Sequence, residues 1–171
     1  MFTRFIFFIC CLNTFLVAHP HIFIDTQVQV LPEKIIIIWS FDEMTSAMLM
    51  DDYDKNKNKK LDPDEVAFME KDHFRTLEPY SYFIHMSDGK DEFDLKRIIE
   101  FTASFENKKL IYTFAIPKPK LKKYELRFYD AEMYVALILK NEWLTCKEPV
   151  KCKIEGYDAD FYYAYKVMVQ E

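Results

Sequence analysis

The chain has 171 residues, half of them hydrophobic, with 23 basic against 28 acidic side chains and a net charge of −5. That length and apolar content suit one domain with a real core, and the acidity argues against nucleic acid or an anionic membrane as partner. An acidic chain suits cations better.

Residues 1–18 carry one charge, Arg4, then an apolar run from Phe5 onward, and end in Ala18. They read as a secretory signal peptide, with a short basic start, a hydrophobic segment too short to span a bilayer comfortably and a small residue at the cut. An uncleaved anchor is the alternative. Cleavage after Ala18 makes His19 the first residue of a single domain over 19–171 and removes Arg4, leaving the mature chain one unit more acidic. Cys10 and Cys11 leave with the leader. The remaining pair, Cys146 and Cys152 in "TCKEPVKC", predicts a hairpin-closing disulfide in an oxidising compartment, with free or metal-binding thiols as the alternative. So short a loop should stabilise by less than the roughly 3 kcal/mol of a 15-residue one.

From Ile22 the pattern is β. "IFIDTQVQV" (22–30), a turn at Pro32-Glu33-Lys34 and "IIIIW" (35–39) predict a hairpin that buries Ile22, Ile24, Val28 and Val30. Residues 42–76 interrupt it. "DEMTSAMLMDDY" (42–53) predicts a helix capped by Asp42, with Met44, Ala47 and Met48 on one side and Met44 and Met48 packed in the core. "DPDEVAFMEKDHF" (62–74) predicts a second helix, opened by the Asp-x-x-Glu capping pattern of Asp62 and Glu65 with Pro63 at its first position. Strands resume at "YSYFIHM" (80–86), followed by Asp88-Gly89 as a two-residue hairpin signal. Next come "FDLKRIIEFTASF" (93–105), a polar turn at Glu106-Asn107-Lys108-Lys109 and "LIYTFAI" (110–116). A Pro-Lys spacer precedes "YELRFYD" (124–130), "YVALIL" (134–139) and "FYYAYKVMV" (161–169). Seven or eight strands with so many aromatics predict a mainly β, α+β fold: an antiparallel two-sheet β-sandwich with an inserted EF-hand-like helix-loop-helix at about 42–76.

The loop between the helices, "DKNKNKKLDPDE", has twelve residues. A calcium loop places oxygen ligands at positions 1, 3 and 5, a backbone carbonyl at 7, a water-bridged group at 9 and a bidentate glutamate at 12. Those positions hold Asp54, Asn56, Asn58, Lys60, Asp62 and Glu65, with Leu61 as the apolar anchor at position 8. Lys59 stands where glycine is usual, and a left-handed lysine there costs about 1–2 kcal/mol. Two asparagines and four lysines (Lys55, Lys57, Lys59 and Lys60) lower the affinity further, to the class of about 10⁻⁴–10⁻³ M. Capping alone explains Asp62 and Glu65. It leaves the alternation of Asp54, Asn56 and Asn58 unexplained.

If His19 is exposed as the terminus, its amine and ring nitrogen chelate a metal together, and His21 adds another imidazole. Such donors suit copper, nickel or zinc. Pro20 rules out the tripeptide copper site, which needs the amide it lacks. His73 and His85 read first as structural, and the four histidines make one site only if the fold brings them together. Met44, Met48 and Met50 offer soft thioether donors for copper(I), set against plain packing.

Taken together, "AHPHIFID", "WSFDEMTSAMLMDDYDKNKNKKLDPDE", "YSYFIHMSDGK" and "FYDAEMYVALIL" resemble an uncharacterised bacterial periplasmic family encoded beside, or fused to, nickel, cobalt or zinc transport permeases. The resemblance implies a periplasmic accessory protein that binds a divalent transition metal (zinc, nickel, cobalt or copper) and works with an inner-membrane permease. It carries over His19, His21 and Asp25, then Trp39, Phe41, Asp42 and the Asp54-to-Glu65 loop, and finally His85, Asp130 and Tyr134. His19, His21 and His85 form the expected transition-metal set. No catalytic constellation is visible, so a non-enzymatic role is expected. The alternatives are a structural or adhesive envelope domain with a weak or vestigial calcium loop, and a copper enzyme built on His19.

Overall fold

The computed structural model describes residues 22–95, 97–159 and 162–171, so the expected leader, His19 and His21 lie outside the described residues. Two sheets share one hydrophobic core in a sandwich-like arrangement.

The first sheet grows from the predicted hairpin. β1 (Ile22–Val30) and β2 (Lys34–Phe41) pair antiparallel, and strict alternation buries Ile24, Thr26, Val28 and Val30 opposite Ile35, Ile37, Trp39 and Phe41. β5 (Glu100–Glu106) and β6 (Lys109–Pro117) extend it beyond β2. Their connection is a two-residue turn in which Asn107 and Lys108 have φ of 50° and 64°, the left-handed pair that matches strand twist. On the other side of β1 lie two short strands, β8 (Val135–Ile138) beside its first half and β9 (Leu144–Cys146) beside its second. Both run parallel to it, a departure from the all-antiparallel expectation.

The second sheet has the order β10-β11-β7-β3-β4, built from β3 (Ile84–Ser87), β4 (Glu92–Asp94), β7 (Lys123–Phe128), β10 (Lys151–Ala159) and β11 (Tyr162–Gln170). Tyr124, Leu126, Phe128, Val167 and Val169 face the core. Trp39 lies at the centre of that core, stacked on Phe83 at 5.9 Å and edge-on to Phe114 at 4.8 Å.

Several expectations change. The strand expected from residue 80 begins only at Ile84, because Phe74–Phe83 forms a kinked 3-10 segment in which Ser81, Tyr82 and Phe83 all have positive φ. Such backbone costs about 1–2 kcal/mol per residue. It is offset where Tyr82 and Phe83 are buried and where the Ser81 hydroxyl donates to Ile84 O and accepts from Leu95 N. The single strand expected over 93–105 is two, since the chain leaves the second sheet after β4 and enters the first at β5. The turn after β3 spans four residues, not two: Ser87 pairs with Glu92, Asp88 Oδ1 accepts from Lys90 N and Asp91 N, and Gly89 takes φ 93°.

The helices fall where expected, at α1 (Glu43–Tyr53) and α2 (Pro63–Asp72). Asp42 caps α1 by accepting from Thr45 N at 2.8 Å. The orientation of α1 differs from expectation. Its buried side is Thr45, Ser46, Leu49, Met50 and Tyr53, while Met44 and Met48 are 73% and 57% exposed and so are not core residues. Ser46 draws that side inward, because its buried hydroxyl donates to Phe41 O and accepts from Leu110 N at the start of β6.

Cys146 and Cys152 are bonded, with Cα atoms 6.2 Å apart. They do not close a hairpin: β9 belongs to one sheet and β10 to the other, so the disulfide joins the two sheets at a corner.

Candidate functional site

The segment between α1 and α2 is wound around its own polar side chains. Asp54, 7% exposed at the end of α1, accepts from Asn58 N at 3.1 Å through Oδ1 and from Lys59 N at 2.8 Å through Oδ2. Asn56 Oδ1 accepts from Asn58 N at 2.9 Å, and Asn58 Oδ1 from Lys60 N at 2.8 Å. Both asparagine amides donate to Asp62 Oδ2, at 2.7 and 3.2 Å. Glu65, also 7% exposed, closes the loop by accepting from Lys55 N (2.7 Å), Asn56 N (3.3 Å) and Asp62 N (2.9 Å). The bond to Asp62 N is half of the expected capping box. Leu61 packs against the core.

Five of the six side chains singled out from spacing are thus bonded into one cluster. The remaining slot, Lys60 at loop position 7, calls only for a backbone carbonyl. Lys59 has φ 63° and Lys57 φ 57°, so the lysine in the glycine slot does adopt the left-handed backbone that the slot requires. The lysine side chains of the loop are exposed, and the ammonium of Lys55 turns back to Asp52 O and lies over the Phe68 ring.

Around the loop, the helices are tied by polar contacts. The Tyr53 hydroxyl donates to Asp72 at 2.9 Å, and burial with that carboxylate pushes its pKa up to about 12. His73 Nδ1 lies 3.0 Å from the Tyr112 hydroxyl on β6. Burial pulls the pKa of His73 below its ordinary value, against the opposing pull of Asp72 and Asp52. His73 is a structural residue in this setting.

His85 lies elsewhere, on the outer face of the second sheet. Its ring stacks on Tyr129 at 4.3 Å, and Nδ1 is 3.7 Å from both Glu92 Oε1 and Asp94 Oδ1. Burial lowers its pKa, and the two carboxylates pull the other way. His73 and His85 share no partner, and nothing in the described residues draws them together. Sequence reasoning missed Glu92 and Asp94. The available signal was two acids two apart, on one face of a strand that folds back onto the histidine.

Asp25, Asp42 and Asp130, also carried over by resemblance, make contacts within the fold. Asp25 pairs with Lys109 at 3.0 Å. Asp42 caps α1 and also accepts from Phe23 N at 3.1 Å while its own N–H donates to Phe23 O, fastening the start of β1 to the helix. Burial opposes ionisation of Asp42, but bonds from Thr45 and Phe23 hold its carboxyl below the usual range. Asp130 accepts from Glu132 N, Met133 N and Val135 N, shaping the turn in which Tyr134 has φ 60°. Among the described residues, no group of three or more His, Cys, Asp or Glu side chains is arranged to hold a metal ion. No helix among them is long and apolar enough to cross a membrane.

A family model for a protein of unknown function, DUF1007, matches residues 4–168. The chain belongs to the DUF1007 family. No curated protein matches this DUF1007 chain.

Proposed function

We propose that this DUF1007 chain is a non-enzymatic, metal-binding accessory protein of the periplasm. It serves a divalent transition-metal transport system, and its EF-hand-like loop is a weak calcium site. The observation that carries the cation reading is the loop itself. Asp54, Asn56, Asn58, Asp62 and Glu65 sit at the ligand spacings of a calcium loop, and their oxygens are held close together with the sixth backbone position already left-handed. Capping of α2 needs only Asp62 and Glu65. It gives no reason for Asp54 to gather the N–H groups of positions 5 and 6.

A calcium ion would be held by Asp54, Asn56, Asn58 and Glu65 side-chain oxygens and the Lys60 carbonyl, with Asp62 acting directly or through water. The asparagine amides now donate to Asp62, so an ion has to displace those bonds, which together with the four lysines keeps affinity low. The transition-metal role rests on the resemblance and on the His19-Pro20-His21 start, with zinc, nickel, cobalt or copper as the ion and an inner-membrane permease as partner.

Two measurements test the reading. Titrating the exported protein with calcium, followed by calorimetry or terbium luminescence, should give one site in the about 10⁻⁴–10⁻³ M class. No saturable binding by 10 mM would leave a structural envelope domain as the better account. Intact mass with metal analysis tests the rest: a chain starting at His19 that retains zinc, nickel, cobalt or copper is expected, and a retained leader or a metal-free chain after supplementation would remove the terminal histidine site.

A further inference from the structure

The net charge of −5 is unevenly placed. Residues 42–78, which carry α1, α2 and the loop between them, hold eleven acids against six bases. Two short stretches reverse the balance. In "PKPKLKK" (117–123) and "KEPVKCK" (147–153), seven lysines stand against one acid, Glu148. Neither stretch contains arginine, whose planar fork suits fixed bidentate partners, whereas lysine is a mobile point charge.

The fold brings both stretches to one end of the molecule. Lys118 N donates to Glu33 O and Lys147 N to Val30 O, which sets both beside the turn between β1 and β2. In the second sheet Lys123 and Lys151 flank Gln170 from opposite sides. Lys118 is held by the Glu171 carboxylate and Lys153 by Glu155. Lys120, Lys122, Lys123, Lys147 and Lys151 are exposed and have no acidic partner among the described residues. Glu33, Asp88 and Asp91 in adjoining turns offset part of this charge, with Lys90 beside them. Leu121, between Lys120 and Lys122, is 39% exposed. The helices lie far off: α1 starts beyond Phe41 and is anchored to Leu110, at the opposite ends of β2 and β6 from Lys34 and Pro117. The eight residues of β2 put about 25 Å between the two ends.

We propose that this lysine end is a docking face for a bilayer rich in anionic phospholipid, with Leu121 entering the headgroup layer. About four to eight clustered lysines are what an anionic lipid surface attracts, and an apolar side chain among them adds burial at the interface. Lipid suits this face better than an acidic protein does, because its bases are all lysine, come from separate turns and surround an exposed leucine. The face rests on the envelope location proposed above and on neither metal site. Docked this way, the chain keeps the loop between α1 and α2 in solvent, away from phosphates that would compete for calcium.

The test uses the full exported chain in EDTA, so that bound metal plays no part, with vesicles of phosphatidylglycerol and phosphatidylcholine in equal parts or of phosphatidylcholine alone. Co-sedimentation at low salt should show binding at least tenfold tighter to the mixed vesicles. Raising salt to about 0.5 M should abolish it, since the Debye length then falls to about 4 Å. Lys120→Glu, Lys122→Glu and Lys151→Glu together should remove binding. Lys57→Glu, Lys60→Glu and Lys71→Glu, which change the net charge equally at the far end, should leave it in place, and an unchanged Tm in each triple variant shows that the fold is kept. Leu121→Ala should weaken binding severalfold without altering its salt dependence. Equal loss in both triple variants, or equal binding to phosphatidylcholine alone, would overturn the face. Binding to polyglutamate with none to either vesicle would overturn it too, by assigning the lysines to an acidic protein. Calcium titration of the loop is indifferent to these outcomes, so docking and cation binding fail separately.

Discussion

Glu65→Ala separates the two jobs that the loop assigns to one carboxylate. In the ligand-free chain Glu65 accepts from Lys55 N, Asn56 N and Asp62 N while nearly buried. A hydrogen bond to a charged group contributes about 1.5–3 kcal/mol, and a lost helix cap about 1 kcal/mol. Lys55 and Asn56 are exposed, so water recovers much of what their N–H groups lose. The net destabilisation should therefore be about 2–3 kcal/mol, which for a domain of this size lowers Tm by about 4–12 °C. Calorimetry in EDTA measures that part. In wild type, 10 mM calcium should then add about 1.4–2.7 kcal/mol for a Kd between 10⁻³ and 10⁻⁴ M. The variant should show no calcium shift at all. A Tm drop below about 2 °C in EDTA would mean that Glu65 does not hold the empty loop closed, and a full calcium response in the variant would remove it from the ligand set.

Lys59→Gly should stabilise the chain by about 1 kcal/mol and tighten calcium, because φ 63° suits glycine and strains lysine; a lower Tm would refute the strain. Ser46→Ala should cost about 1–3 kcal/mol in urea unfolding by stranding the buried Leu110 N–H, and a neutral result would mean that α1 is not anchored to β6 through this hydroxyl. Burial depresses the pKa of both His73 and His85 below the unfolded value near 6.5. The unfolded chain therefore binds more protons in the window below that value, and their contribution is complete above it and lost as pH falls through the folded pKa values. Unfolding free energy measured from pH 7.5 to 5 should decline, and the slope should flatten in a His73→Gln, His85→Gln double variant.

Much of this was legible because strong patterns and local chemistry coincide. Residues 22–30 alternate without a break and form β1 over the same span. The twelve-residue loop announced its cluster because its spacing is set by backbone turns local to the loop. What failed depends on partners distant in sequence. "KCKIEGYDA" becomes β10, but its outer face carries Lys151, Lys153 and Glu155, which hid its β character until β11 supplied cross-strand partners. The rotation of α1 depends on Ser46 meeting Leu110, 64 residues away. Residues 80–83 look like strand by composition, yet Ser81, Tyr82 and Phe83 take left-handed backbone, and the Ser81 hydroxyl accepts from Leu95 N, a contact invisible to any local window.

The two short parallel neighbours of β1 impose an order of events. A chain emerging amino terminus first can zip β1 to β2 at once, since only a short turn separates them. The opposite edge of β1 has to wait more than a hundred residues, until Val135–Ile138 and Leu144–Cys146 arrive to cover it. Until then its N–H and C=O row stays open to any stray strand. The first strand made is thus among the last to be sealed, and truncation just before residue 135 should yield an aggregating fragment with an open β1 edge rather than a smaller stable domain.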